Sequence, residues 1–213
     1  MRWAIWAGLM GAGLLGILPI RSAQAQTPEA PTVEVIIVGP ADASYSLFGH
    51  AAMRVVDDPQ ADPGDARVFN FGITNFKRPN YIMDFLGGRV KFWGKIERWS
   101  TVARRWTKSD RTVTRYPVLL PPMALRAFVA RMERDTQPAH REFVYDTFRE
   151  NCATRLRDYL DTYSRGAVHR ATAGKPSGRA FRQDVRRAYG NWTSILVGSE
   201  FMPGVDIDRP RDV

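Results

Sequence analysis

The stretch Phe148–Leu160, FRENCATRLRDYL, carries the only cysteine of the 213-residue chain. Read as a helix, it starts cleanly. Asn151 is a favoured N-cap, and Leu156, Tyr159, Leu160 and Tyr163 recur at i, i+3, i+4 and i+7. Cys152 stands in the first turn, four residues before Leu156 and on the same face. A thiol there meets unpaired backbone N–H groups and the positive end of the helix dipole, which favours its thiolate. Arg155, one turn on, adds to that field. A free cysteine also packs as a small buried hydrophobe, and helix placement alone does not separate the two readings.

The N-terminus narrows the choice by setting the compartment. Met1–Ile20 has one early charge, Arg2, followed by an apolar run, and Ala23-Gln24-Ala25 fits small-x-small cleavage after Ala25. An uncleaved anchor competes, since the run is nearly long enough to span a bilayer. The cleavage site and the Gly-rich run favour a signal peptide over residues 1–25 and a mature chain from Gln26. A single cysteine excludes an internal disulfide and any cysteine-metal framework. It leaves an intermolecular bridge, a buried thiol or a reactive one.

The chain 26–213 suits one domain, read as a core followed by a basic, loop-rich tail from about residue 165. Its formal charge falls from +9 to +7 once Arg2 and Arg21 are removed. A basic exported protein meets anionic lipid head groups or cell-wall polymers, and export argues against nucleic acid as partner. No second long apolar stretch follows, so the mature domain reads as soluble or peripheral to the membrane.

Upstream of the cysteine the pattern is β. VEVIIV (Val33–Val38) reads as a buried strand ending at Gly39-Pro40, and 41–48 reads as a loop. HAAMRVV (His50–Val56) alternates, with His50, Ala52, Arg54 and Val56 on one face. VFNFGI (Val68–Ile73) is the next strand, with Val68 and Asn70 on one face. An antiparallel pairing of these two brings His50 and Asn70 within reach. Residues 75–106 read as irregular, with rings interleaved among bases as at a membrane-facing surface, although any single ring is more often core. TVTRYPVLL (Thr112–Leu120) reads as a strand that Pro117 sends to an edge or bulge. A helix from Pro121-Pro122 follows, with Leu125, Phe128, Val129 and Met132 as its stripe. The 165–187 stretch reads as a basic, solvated, mobile face.

A nucleophilic thiol needs a base in hydrogen-bond reach and a third group to orient that base. His140 and His169 fall in less ordered stretches, whereas His50 opens a strand directly after Phe48-Gly49. Cys152 with His50 as base and Asn70 as orienter is therefore the candidate catalytic set.

Several motifs, in order, resemble the Lnb N-terminal periplasmic domain family. They are Ser46-Leu47-Phe48-Gly49-His50-Ala51-Ala52-Met53-Arg54-Val55, Val68-Phe69-Asn70-Phe71-Gly72, Phe85-Leu86-Gly87-Gly88-Arg89, and Tyr145-Asp146-Thr147-Phe148 with Asn151-Cys152-Ala153-Thr154-Arg155. The resemblance implies a circularly permuted relative of the papain-like and NlpC/P60 thiol enzymes. It also implies lipoprotein N-acyltransfer from a phospholipid through a cysteine thioester. The expected fold is α+β and papain-like, with helices packed on an antiparallel sheet. The expected activity is a periplasmic thiol acyltransferase or hydrolase acting on phospholipid or lipoprotein at the membrane surface. Ser46, Asn151, Tyr145 and Arg155 are candidate oxyanion or substrate contacts, and the chemistry implies no metal or organic cofactor. Two alternatives remain: a cell-wall peptidase or amidase using the same dyad, and a non-catalytic envelope-binding domain.

Overall fold

The computed structural model describes residues 30–191, 208 and 210–212; the signal-peptide reading and most of the segment after residue 191 lie outside them. Three strands follow the sequence pattern closely: β1 (Thr32–Val38), β2 (His50–Val56) and β3 (Arg67–Ile73). β2 pairs antiparallel with both β1 and β3. Strand β5 (Val113–Pro117) adds to the outer side of β1, so Pro117 sits on an edge, where its missing N–H costs no ladder bond.

The six-stranded antiparallel sheet runs β5-β1-β2-β3-β4-β6, with β4 at Lys91–Arg98 and β6 at Glu142–Val144. Helix α3 (Pro122–Asp135) and helix α4 (Cys152–Tyr163) cover one face. There Leu125, Phe128, Met132, Leu156 and Tyr159 bury against Met53, Val55, Phe69 and Phe71. Helix α2 (Trp99–Lys108) covers the other face, where Val102 and Trp106 close over Ile36, Val38, Ala52 and Val68. Both faces of β2 and β3 are thus buried, although their sequences alternate as a one-sided sheet would.

Between 75 and 106 the expectation of irregular structure fails. The segment holds α1 (Tyr81–Leu86), a full strand β4 and the amphipathic α2. The signal was hidden because β4 mixes rings, a glycine and charges, having one covered and one partly solvated face. The large apolar side chains of the segment divide accordingly. Phe92 and Trp106 are core and Trp99 packs beside Trp106, while Phe76, Ile82, Met83, Phe85 and Leu86 are exposed. After residue 165, the stretch read as loop-rich carries α5 (Ala167–Thr172), β7 (Pro176–Ala180) and α6 (Phe181–Tyr189). β7 pairs with β8 (Pro210–Asp212) in a separate two-stranded ribbon. Its charge masks α6, whose one buried residue is Val185. Among the described residues no helix is long and apolar enough to cross a membrane.

Candidate active site

β2 begins where it does because of Gly49. Its φ is +76°, and a Cβ there would lie 2.6 Å from the Val38 carbonyl oxygen, so only glycine makes this turn without strain. The turn delivers His50 opposite Val38, while Ala52 lies opposite Asn70. His50 and Asn70 are therefore diagonal neighbours on one face, and His50 Nε2 meets Asn70 Oδ1 at 2.9 Å.

Asn70 is buried, and its amide orientation follows from its other contact. Nδ2 donates to Glu97 Oε2 at 2.7 Å, and an ionised carboxylate only accepts. Oδ1 must then face the ring, so Nε2 carries the hydrogen and donates it to Asn70. Nδ1 is left for Cys152. Glu97 is clamped in turn by Arg105, whose two terminal nitrogens each donate at 3.1 Å, with Lys95 at 3.7 Å. Burial pushes the Glu97 carboxyl up, but Arg105, Lys95 and the Asn70 amide outweigh it and hold it below the ordinary carboxylate range.

Cys152 reaches the same point from the opposite element. Asn151 Oδ1 accepts from the N–H groups of Ala153 and Thr154, and the Thr154 hydroxyl accepts from the Asn151 N–H, closing a reciprocal cap. Such a cap contributes about 1 kcal/mol. Burying Leu156 and Tyr159 contributes about 1.5–3 kcal/mol each. Burial therefore decides which face of α4 packs, and the cap decides that the helix starts at Cys152. Gly72 borders both members of the pair: a Cβ there would lie 3.7 Å from Cys152 Cβ and from His50 Cε1, an ordinary contact with each.

The pair's electrostatics follow from this contact. Burial drives the Cys152 thiol up, but the hydrogen bond and charge of His50, with the Ala51 and Ala153 backbone, bring it below 9.0. Burial drives His50 down, and the bond and charge of Cys152 together with Asn70 raise it above 6.5. Both shifts favour a thiolate–imidazolium pair. Arg155 is held by neighbours of its own. Its Nε donates to Glu150 at 2.6 Å, and its guanidinium covers the Phe143 ring at 4.0 Å.

The other sequence candidates have their polar atoms engaged locally. The Ser46 hydroxyl is directed at the carbonyls of Ala41 and Ala43. Asn151 Nδ2 donates to the Thr147 carbonyl. Tyr145 stacks on Phe92 at 4.1 Å, and burial, helped by the charge on Cys152, pushes its phenol well up. His140 lines a separate cleft of about 430 Å³ with Arg131, Arg134, Asp135 and Arg155, and His169 is exposed on α5. Among the described residues no group of histidine, cysteine and acidic side chains suited to a metal ion is found.

Sequence reasoning missed Glu97 and Arg111. Glu97 had a signal, being the one acid among the bases between Phe85 and Ser109. Arg111 had none, because it sits in the short link between α2 and β5. A family model described as the Lnb N-terminal periplasmic domain matches residues 22–187, which include His50, Asn70, Glu97 and Cys152. No curated protein matches the chain, and no solved structure does.

Proposed function

Because the chain belongs to the Lnb N-terminal periplasmic domain family, we propose that it is a cysteine-dependent acyltransferase or hydrolase of the cell envelope, working through a Cys152 thioester. The observation that carries the reading is the directed relay from Glu97 through Asn70 to His50. It leaves Nδ1 of a raised imidazole for a lowered thiol.

In the first half-reaction Nδ1 takes the Sγ proton and the thiolate adds to an ester or amide carbonyl. When the tetrahedral intermediate collapses, the C–O or C–N bond breaks and the imidazolium gives its proton to the leaving group. In the second, an amine or water gives its proton to Nδ1 as it attacks the thioester, and Sγ leaves. The Cys152 N–H at the start of α4 donates to no described residue and is the natural oxyanion donor. His strand before Cys helix is the order a circularly permuted papain-like or NlpC/P60-type domain would have.

A lipid or lipoprotein acyl group is the favoured substrate, and the chain acts as a peripheral protein on the periplasmic side, with the mature form beginning at Gln26. The support is local. Exposed Ile82, Met83, Phe85 and Leu86 on α1 form an apolar surface flanked by Lys77, Arg78 and Arg89. Tyr45, exposed and stacked on Phe76 at 5.1 Å, extends that surface toward Ser46 and the dyad.

The test is intact-mass analysis after incubation with phospholipid vesicles. One acyl group should appear on the wild-type protein and be absent from Cys152→Ala and His50→Ala. Acylation of all three would remove the dyad from the chemistry. Adducts from muropeptides alone would turn the reading to a cell-wall amidase.

A further inference from the structure

Beside the dyad lies a cleft of about 360 Å³ between the 41–46 turn and the end of α2, lined by Tyr45, Ser46, Arg105, Trp106 and Arg111 among others. Two of these walls belong to the His50 environment. The Trp106 ring lies 6.3 Å from the imidazole between centroids, and the Arg111 charge bears on both His50 and Cys152.

The two arginines of the cleft differ in one respect. Arg105 is neutralised by Glu97. Arg111 forms no ion pair with any described residue. Its Nε donates to the Gly39 carbonyl at 2.7 Å, which anchors the guanidinium, and its Nη2 is buried without a hydrogen-bond partner. Asp42, on the cleft wall, and Asp110, next in the chain, are exposed, and neither pairs with it. A buried guanidinium nitrogen without an acceptor costs free energy, and the Arg111 charge is left uncompensated beside the cleft. Arg111 lines the cleft with its Nε already anchored, and a guanidinium so held can donate to a phosphate or carboxylate oxygen there.

We propose that Arg111 is the recognition residue of a phosphate subsite, which holds the phosphate of an amphiphilic acyl donor while its ester carbonyl reaches Cys152. This rests on the acyl-transfer reading above. Phosphate is preferred over a peptide carboxylate because Tyr45 joins this cleft to the exposed apolar surface through Phe76 and Tyr81, whose rings lie 5.3 Å apart. A molecule spanning both regions needs an anion at one end and hydrocarbon at the other.

The experiment reads alkylation of Cys152 and needs no turnover. Anionic iodoacetate should label wild type faster, relative to neutral iodoacetamide, than it labels Arg111→Gln. The ratio should fall by about tenfold, the scale of one charge-assisted hydrogen bond. Arg111→Lys should retain most of it, and circular dichroism checks that each variant is folded. A dialkyl-ether phosphatidylglycerol, which cannot acylate the thiol, should slow iodoacetate labelling of wild type and of Arg111→Lys but not of Arg111→Gln. The matching neutral dialkylglycerol should show no such dependence on residue 111. An unchanged ratio, or equal protection of wild type and Arg111→Gln, overturns the subsite. Protection by inorganic phosphate or by a peptide carboxylate with none from the ether lipid overturns the amphiphile assignment. Loss of acylation with the charge preference intact would sink the acyl-transfer reading and leave the subsite standing.

Discussion

Glu97 on β4 accepts from both terminal nitrogens of Arg105, much as Asp135 at the end of α3 accepts from Arg131 at 2.6 Å. Each carboxylate also receives one donor from a buried side chain: the Asn70 amide at 2.7 Å in the first case, the Tyr159 hydroxyl at 2.8 Å in the second. The carboxyls respond alike. Burial pushes each up, and the arginine and the polar donor bring each below its ordinary value. What differs is the next atom along. Asn70 passes the constraint to His50, a group that titrates and faces a thiol. Tyr159 ends in the core against Phe71 and Phe128, and its phenol is pushed up by burial and by Asp135. A clamped carboxylate is thus a means of orienting a neighbour, and the neighbour decides whether the result is chemistry or stability.

Substitutions along the two clamps should separate these ends. His50→Ala should show the largest effect, a loss of turnover of about 10³-fold, within the range for a general base. The iodoacetamide profile reports the same contact. Because Cys152 is lowered, wild-type labelling should level off below pH 9.0, and the variant's profile should move up. Superimposable profiles would show that the two side chains do not interact. The stability contributions have opposite signs of pH dependence. That of His50, raised in the fold, is complete below 6.5 and lost as pH rises through its folded value. That of Cys152, lowered in the fold, is present above 9.0 and lost as pH falls through its folded value.

Asn70→Ala comes next. It should cost about 10–100-fold in turnover, the usual range for a residue that orients a reacting ligand, while some acylation of Cys152 persists. Full activity in a folded Asn70→Ala protein would take that residue out of the site. On the other clamp, Asp135→Ala leaves the buried Tyr159 hydroxyl without an acceptor. Denaturant titration should show a loss of about 2 kcal/mol with the alkylation profile unmoved. If the profile shifts, the two centres are coupled and the comparison fails. Glu97→Gln should have the smallest effect, about a tenfold drop in turnover or less. An amide at 97 both donates and accepts, so it no longer dictates which end of Asn70 faces the ring. Stability should change little, because the Arg105 partner is half-exposed.

Much of this centre was legible in the chain. The cap at Asn151, the helical stripe behind Cys152, the alternation from His50 and the Val68–Ile73 strand are local patterns of backbone and polarity. They place a thiol at a helix start and an imidazole and an amide on neighbouring strands. The Leu125, Phe128, Val129 and Met132 stripe and the edge position of Pro117 follow from the same local physics. β4 and α2 were not legible as elements, because their rings and bases are sorted only when one face of the sheet is covered.

By itself, then, the sequence determined the candidate residues and their local settings, since residue type, spacing and capping act within a few positions of the chain. Tertiary structure alone decided how those residues are held. Glu97 reaches Asn70 only through the β3–β4 register, Gly72 borders both Cys152 and His50 only when α4 arrives beside the sheet, and Arg111 Nη2 is buried without a hydrogen-bond partner only in the folded chain. Hydrogen-bond direction, burial and the lack of a partner are properties of neighbours brought together from distant positions, and no local pattern encodes them.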